Sequence, residues 1–376
     1  MVVSVVKRIR MVIADSNVDY LESFSSFMRH ASEGDRFIIS YFSETAKLQS
    51  FIEQNDSIDI LLTTRELFNN SIPITGDATI IYLDDDVVVA HEESHSVYRY
   101  QRLNVLVSNI LSIYYEENEH AGRMLARSRK AKVISVYSPS GGTGKSTVAA
   151  NMSKQLALRN YKVFYLNLEL LQSTELFFSS EADNPSLQLF YYVKAKSPQL
   201  LSKIESLKKY DPYSMVDYFD FELNALEMLE LNSEDVERLL NGIVETGTYD
   251  FIIIDLDSSL HERNQRALLE SDQIIWLLSN DAQSVQKVTS ILEAEEKIFG
   301  KENILKDKST FIVNKFTNEV VQAARESELV IEGYLPFVQE WITLNQSAEV
   351  LNHELFNQEV QAILQDKVIR EQEGVQ

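Results

Sequence analysis

One stretch decides the fold, and it reads Tyr137-Ser138-Pro139-Ser140-Gly141-Gly142-Thr143-Gly144-Lys145-Ser146-Thr147. A β-branched run, Lys132 to Tyr137, precedes the glycines, and a helical pattern from Ser146 to Leu158 follows them. A strand, a glycine-rich loop and a helix in this order predict a phosphate cradle. Glycines let backbone N–H groups point at a polyphosphate, and the helix N-terminus adds partial positive charge.

The side chains of this loop predict a site for ATP and Mg²⁺. Lys145 can reach the β- and γ-phosphates, which makes it a predicted catalytic residue, and the Ser146 hydroxyl can ligate the metal. The predicted nucleotide-binding residues of the loop are Gly141, Gly142, Thr143, Gly144, Lys145, Ser146 and Thr147.

The loop departs from the common P-loop pattern, because Pro139 holds the place of its first glycine. The run from Gly141 to Ser146 instead resembles the deviant P-loop of the MinD/ParA family. That family has a lysine before the paired glycines, where this chain has Ser140. In the family this lysine reaches the partner's phosphate across a dimer, so the resemblance implies a weak ATPase, if the protein is active at all. The alternative, a glycine turn in an unrelated α/β protein, is disfavoured because the loop, lysine, hydroxyl and flanking elements all agree.

Composition restricts the class of protein. The length of 376 residues predicts two domains, or three, and the hydrophobic content of 44% is enough for packed cores. No apolar run spans a bilayer and no signal peptide is recognisable, which predicts a cytoplasmic protein without membrane insertion. The sequence contains no cysteine, which excludes disulfide bonds and thiolate chemistry. The net charge of −22 disfavours direct binding to DNA or anionic lipid.

Strand and helix patterns alternate in residues 1–120, which predicts a doubly wound α/β domain with a parallel sheet. The predicted strands are Ile9 to Ala14, Phe37 to Phe42, Ile58 to Thr63 and Thr79 to Leu83, and the predicted helices are Val18 to Ala31, Ser43 to Gln54 and Leu103 to Tyr115.

This layout resembles a response-regulator receiver, a flavodoxin-like fold. Carried onto this chain, the family's acidic pair falls on Asp15 and Ser16, its phosphoacceptor on Thr64 or Thr63, and its lysine on Arg99. Phosphotransfer needs a carboxylate nucleophile and acids for Mg²⁺. We therefore favour a docking or dimerisation domain without phosphorylation over an active receiver.

Residues 121–131 are predicted to be a linker, followed by a P-loop NTPase domain of MinD/ParA type over residues 132–376. The segment around the linker is locally basic, which would fit a nucleic-acid arm. A solvated linker is preferred, because no aromatic residues for base stacking are interleaved with the charges. The basic residues are Arg123, Arg127, Arg129, Lys130 and Lys132.

Two further strands are predicted to carry acids to the phosphates. The run Tyr249 to Asp255 is apolar and ends in an aspartate, which places Asp255 at the ligand-binding edge of a parallel sheet as a Mg²⁺-holding and catalytic residue. Asp257-Ser258-Ser259 would be the phosphate-sensing switch. In the family, a second strand ends in Asp-x-Asp; here Asn167 and Glu169 hold those places. Glu169 is the predicted water-positioning residue, or simply a polar strand end.

The resemblance also implies an adenine pocket. Asn314, at the end of Phe311 to Lys315, corresponds to the family's base-reading asparagine, and Leu335 and Pro336 to the segment whose backbone lines the pocket. The predicted terminal helix, Glu349 to Glu373, carries more acids than bases, which disfavours a basic membrane helix.

A receiver-like domain followed by a MinD/ParA-like ATPase domain resembles the TadZ/CpaE family. The resemblance implies an ATP-bound, slowly hydrolysing homodimer that positions and helps assemble the tight-adherence pilus machinery. Its partners would be pilus secretion and assembly proteins, and its location a cell pole or the inner face of the membrane through those partners. The alternative is a ParA- or MinD-type positioning ATPase that cycles on DNA or membrane.

Overall fold

The computed structural model describes residues 8–31, 33–54, 57–68, 77–86, 95–118, 131–180, 186–221, 225–300, 305–317, 319, 322–342 and 347–369. The chain divides into two compact units. The first unit contains Met1–Lys130, Ala195–Ser206 and Gly242–Thr248, and the second contains Ala131–Lys194, Leu207–Asn241 and Tyr249–Gln376. Most of the basic segment, including Arg123, Arg127, Arg129 and Lys130, lies outside the described residues.

The first unit is built on a parallel sheet with the strand order β2-β1-β3-β4-β5. The strands are β1 (Ile9–Ala14), β2 (Phe37–Phe42), β3 (Ile60–Thr63), β4 (Thr79–Asp84) and β5 (His95–Tyr98). The helices are α1 (Val18–His30), α2 (Thr45–Gln54) and α3 (Leu103–Glu117). The predicted alternation is confirmed, with boundaries shifted by two residues or fewer.

Local sequence explains the first helix of this unit. Asn17 caps α1, because its side chain accepts a hydrogen bond from Tyr20 N at 3.1 Å. Helical spacing then places Leu21, Phe24 and Met28 on one buried face. Leu201, from a segment far later in the chain, joins the same apolar core.

The second unit is built on a sheet with the order β13-β12-β11-β6-β10-β7-β9-β8, parallel except between β8 and β9. Its strands are β6 (Lys132–Tyr137), β7 (Val163–Asn167), β8 (Lys209–Asp211), β9 (Val216–Tyr218), β10 (Phe251–Asp255), β11 (Gln273–Ser279), β12 (Ser309–Phe316) and β13 (Ile331–Pro336). The mostly parallel α/β sheet predicted for this part is confirmed.

Ten further α-helices in the described residues follow the loop along the chain. They are α4 (Lys145–Ala157), α5 (Leu189–Lys194), α6 (Leu200–Leu207), α7 (Ala225–Glu230), α8 (Ser233–Glu245), α9 (Glu262–Glu270), α10 (Ala282–Glu293), α11 (Glu295–Phe299), α12 (Gln322–Glu326) and α13 (Glu354–Ile363).

Two predicted helices are shorter than expected. The sequence from Leu200 to Tyr210 has a helical pattern and predicts a helix over that range. The observed helix ends at Leu207, because Lys209–Asp211 forms a strand that pairs antiparallel with Val216–Tyr218. The predicted terminal helix begins only at Glu354 and continues as a π-helix over Leu364–Ile369. Residues 370–376 lie outside the described part.

The apolar face of this terminal segment packs against the core of the second unit. Phe356, Val360, Leu364 and Val368 are buried in the main core of the second unit. Because that face packs inward, it is not available for insertion into a lipid surface. Across the described segments, no helix combines the length and apolarity needed to cross a membrane.

Candidate functional site

The candidate site lies at the carboxyl edge of three neighbouring strands of the second unit. In the registers of β10 with β6 and β7, Asp255 lies opposite Val136 and Asn167. Strand β6 runs into the glycine loop, and α4 starts at Lys145. Parallel strands therefore bring the loop, Asp255 and the end of β7 to one edge, where α/β proteins bind ligands.

The loop faces open space on one side. Gly142 and Gly144 have left-handed φ angles of +70° and +90°, which a glycine adopts without strain. A Cβ atom added at Gly141 or Gly142 would meet nothing within 4 Å. At Gly144 it would come within 2.6 Å of Asn314 Nδ2, so this glycine allows β12 to approach closely.

Both polar side chains at the start of α4 contact the predicted acids or switch. Lys145 Nζ donates to Ser258 Oγ at 2.9 Å. Ser146 Oγ donates to Glu169 Oε2 at 3.1 Å. The structure thus brings together Lys145, Ser146, Glu169 and the predicted switch, which lie far apart in sequence.

Asp255 is fully buried beneath this group. Its Oδ2 atom accepts a hydrogen bond from the Tyr165 hydroxyl at 2.8 Å, and its Oδ1 atom has no hydrogen-bond partner among the described residues. Burial, and then the charge of Glu169, raise the pKa of Asp255 above its usual range. Burial also raises the pKa of Glu169, although Lys145 and Ser146 oppose this. Burial, together with the proximity of the two carboxyl groups, therefore disfavours the state in which both are ionised.

This donor set fits Mg²⁺. A hydroxyl oxygen of Ser146 and an unpartnered carboxylate oxygen of Asp255 are hard ligands of the kind that Mg²⁺ prefers, and a cation would relieve the charge of the carboxyl pair. Within the described residues, no group of three or more histidines, cysteines and acids forms a cage for a metal. Such a set suits a metal that keeps waters and binds phosphate oxygens together with one or two protein ligands.

Asp257 is held firmly. Its carboxylate accepts hydrogen bonds from Arg263 Nη2 at 2.7 Å, Asn264 Nδ2 at 2.6 Å and Ser259 N at 2.8 Å. Burial opposes its ionisation, but the Ser259 donors, Arg263 and Asn264 together keep the pKa of Asp257 below its usual value. Arg263 is itself 1% exposed, so an ion pair with a buried guanidinium fixes the predicted switch to α9.

Asn167 orients its neighbour Glu169. Its Oδ1 atom accepts from Glu169 N at 2.8 Å, and its Nδ2 atom donates to Thr174 Oγ1 at 3.1 Å. The amide of Asn167, at the position where the MinD/ParA pattern has an acid, thus holds the turn after β7 through Thr174 and Glu169. The carboxylate that reaches the glycine loop is that of Glu169, which accepts from Ser146 Oγ.

The predicted adenine-reading asparagine adjoins the loop. Asn314 is 4% exposed; its Nδ2 atom donates to Thr143 O at 2.7 Å, while its Oδ1 atom has no partner among the described residues. The Leu335 side chain is buried in the core, and Pro336 pairs with Phe316 at the end of β12. The roles given to Asn314, to the Leu335 and Pro336 backbone and to Thr147 stay predictions.

Sequence reasoning missed three side chains that hold this site. Lys315 Nζ donates to Gly142 O at 2.7 Å, Tyr165 contacts Asp255, and Arg263 contacts Asp257. Residues two apart in a strand lie on the same face, so Tyr165 shares a face with Asn167. This alternation could have indicated that Tyr165 contacts Asp255 on the neighbouring strand. Nothing local indicates Arg263, because its partner depends on how α9 packs.

The residues matched to receiver positions also come together in the first unit. Arg99 Nε lies 3.1 Å from Asp15 Oδ2, and its guanidinium lies 5.1 Å from the ring centres of Tyr20 and Tyr100. Burial raises the pKa of Asp15, offset in part by the Asn17 N–H and Arg99. Thr64 is buried at the corresponding edge and carries no carboxylate.

The P-loop part of the chain is similar in sequence to known proteins. Residues 131–306 match a family model described as an AAA domain. An uncharacterized protein of Methanocaldococcus jannaschii is 30% identical over 200 residues, which span 50% of this chain and 74% of that protein. The chain belongs to the AAA-domain family.

Solved structures show the fold of this AAA-domain protein. A ParA family ATPase from Chlorobium tepidum is 16% identical over 62% of this chain and 97% of its own, with a TM-score of 0.53. The septum site-determining protein MinD of Pyrococcus horikoshii, complexed with Mg-ADP, is 20% identical over 63% of this chain and 97% of its own, with a TM-score of 0.49. The likeness to the ParA family ATPase shows that the P-loop region has a ParA-like fold.

Proposed function

We propose that the second unit binds Mg·ATP and hydrolyses it slowly, and that the protein acts as an ATP-bound homodimer. One observation carries the proposal. The glycine loop, Lys145, Ser146 and the unpartnered carboxylate oxygen of Asp255 converge on one edge of the sheet, with open space above Gly141 and Gly142. Backbone donors, a cation and hard oxygen ligands at one edge suit a polyphosphate with its metal.

Each polar group of this site has a role in the proposal. Lys145 neutralises phosphate charge, Ser146 and Asp255 hold Mg²⁺, and Glu169 orients the attacking water. Bound Mg²⁺ supplies charge stabilisation at the phosphoryl oxygens. Asn314 offers its free Oδ1 atom to the amino group of adenine, beside the backbone at Leu335 and Pro336.

Slow turnover follows from Ser140. A cation added in the transition state of phosphoryl transfer is worth about a thousandfold or more in rate, and a serine hydroxyl supplies none. Ser140 Oγ is buried without a partner among the described residues. The binding parts of the site remain complete, so we expect firm binding and a long-lived ATP-bound state.

The cellular role that we propose is that of a TadZ/CpaE-like positioning and assembly factor for tight-adherence pilus secretion proteins, at a cell pole or at the inner membrane face through partners. The first unit supports this, because its strand order 2-1-3-4-5 is the flavodoxin-like order of receivers. We propose functional limits of 1–120 for the receiver-like domain, 121–131 for the linker and 132–376 for the ATPase domain. Fluorescence imaging of a tagged protein with and without the pilus secretion genes tests the role.

A second candidate is a ParA- or MinD-type ATPase that cycles on DNA or membrane, which the fold likeness to a ParA family ATPase favours. The net charge of −22 and the inward-packed terminal helix oppose it. Pelleting with DNA and with anionic liposomes, each with and without Mg·ATP, separates the two. ATP-dependent pelleting would favour the second candidate.

Nucleotide binding itself is tested by titration calorimetry of the full chain with ATP, in the presence and absence of Mg²⁺. We expect binding that Mg²⁺ strengthens. A wild-type protein that binds no ATP under either condition would overturn the proposed function.

A further inference from the structure

The end of β12 makes an irregular excursion beside the glycine loop. The pairing of β12 with β13 loses its register between Val313 and Phe316. Lys315, within this excursion, has a φ angle of +57°, a left-handed conformation that a lysine seldom adopts. Backbone strain of this kind persists only where surrounding contacts hold it, and it concentrates at functional sites.

Two consecutive side chains of this excursion hold two consecutive carbonyls of the loop. Asn314 Nδ2 donates to Thr143 O at 2.7 Å, and Lys315 Nζ donates to Gly142 O at 2.7 Å. The Lys315 side chain is exposed, so its ammonium is not held there by burial. The Lys315 bond is charge-assisted and is stronger than a neutral bond.

These bonds set the direction of two loop amides. The Gly142 carbonyl shares a peptide plane with Thr143 N–H, and the Thr143 carbonyl shares one with Gly144 N–H. In a trans peptide the C=O and N–H bonds point in opposite directions, and the described residues contain no cis peptide. Holding both carbonyls toward β12 therefore turns both N–H groups away from it, to the side on which a polyphosphate would lie.

We propose that Lys315 is a positioning residue of the phosphate site, which orients the Thr143 N–H group through the Gly142 carbonyl. This role rests on the proposed function, since it assigns Lys315 to the same nucleotide site. Lys315 acts on the loop and not on the base, so its contribution belongs to the phosphate end of the ligand. It also links the phosphate loop to the strand that carries Asn314.

The test compares Lys315→Met, Lys315→Arg and Lys315→Gly in the full chain. Binding of a fluorescent ATP analogue and its displacement by ATP and by inorganic tripolyphosphate are measured. We expect Lys315→Met to lose about tenfold in affinity for both ATP and tripolyphosphate, since one charge-assisted bond no longer orients a donor. Lys315→Arg keeps the cation and should retain most of the affinity. The matched control is Lys287→Met, at an exposed lysine on α10.

Lys315→Gly separates positioning from a merely structural role. Glycine adopts the left-handed conformation without strain, so the unfolding midpoint should stay the same or rise, while affinity falls as in Lys315→Met. Equal binding by wild type and Lys315→Met, or a loss for ATP without one for tripolyphosphate, would overturn the proposal while the proposed function stands. If the wild type binds no nucleotide, the role of Lys315 and the proposed function are both overturned.

Discussion

The Arg36 guanidinium lies 2.8 Å from the Glu205 carboxylate, and the two side chains are 6% and 1% exposed. Arg36 also donates to the Tyr115 hydroxyl at 2.6 Å. Glu205 belongs to a segment, Ala195–Ser206, that follows the glycine loop in sequence but is part of the first unit. This buried ion pair therefore joins two parts of the first unit that lie on opposite sides of the glycine loop in the sequence.

Breaking this pair should destabilise the protein strongly. Arg36→Met leaves the buried Glu205 charge without its cation, and we expect a loss of about 3–5 kcal/mol in the free energy of unfolding. Denaturant unfolding followed by circular dichroism measures it. The matched control is Lys47→Met in the exposed pair with Glu44, which should change stability by about 0.5 kcal/mol or less. Equal effects of the two variants would contradict this prediction.

Replacing the loop lysine should weaken nucleotide binding strongly. Lys145→Ala deletes the cation that would contact the phosphates, and we expect about a hundredfold loss in ATP affinity by calorimetry. Its one side-chain hydrogen bond among the described residues is to Ser258 Oγ, so the fold should persist and circular dichroism should not change. Lys287→Ala serves as the control. Unchanged ATP affinity in Lys145→Ala would show that the loop is not the site.

Neutralising Asp255 should separate stability from metal dependence. Asp255→Asn keeps the acceptor for the Tyr165 hydroxyl but removes a buried ionisable carboxyl group, whose pKa is raised by burial and by Glu169. A raised pKa means that folding disfavours the ionised form, so stability should fall as pH rises through that pKa in the wild type. At neutral pH we therefore expect Asp255→Asn to be about 1 kcal/mol more stable without ligand.

The same variant should lose most of the Mg²⁺ dependence of ATP binding while it retains binding of ATP alone. Thermal unfolding and calorimetry, each with and without Mg²⁺, measure the two effects. A variant that is less stable than wild type, or that keeps the full Mg²⁺ response, would argue against Asp255 as the metal-holding acid.

Restoring the lysine of the MinD/ParA pattern should accelerate hydrolysis. Ser140→Lys adds a cation before the paired glycines, and we expect a gain of about tenfold to a thousandfold in single-turnover rate. Ser140→Met, which adds length without charge, is the control and should stay slow. If wild type already matches the variant, or if both variants gain equally, the missing lysine does not limit turnover.

The first unit should accept no phosphate. Arg99 pairs with Asp15, and position 64 is a threonine, so the described residues offer neither an acidic metal site nor a carboxylate nucleophile at this place. The full chain, incubated with acetyl phosphate and Mg²⁺, should show no gain in mass. A phosphate adduct within residues 1–120 that hydroxylamine removes would contradict the prediction.

Local patterns predicted most elements because they depend on residues close together in sequence. Ile9–Ala14, Phe37–Phe42 and Lys132–Tyr137 appear with the predicted boundaries. The helix that should run from Leu200 to Tyr210 stops early because a later strand, Val216–Tyr218, pairs with Lys209–Asp211. Tertiary pairing overrides helical periodicity where a short segment can satisfy either.

The sequence by itself determined the glycine loop, the strands around it and the candidate ligands Lys145, Ser146 and Asp255, because spacing along the chain encodes them. Only the tertiary structure decided that Glu205 belongs with Arg36 and that Lys315 reaches the Gly142 carbonyl. Such contacts join residues that are brought together by the packing of whole elements. Their energies depend on burial and on donor geometry, which no local pattern records.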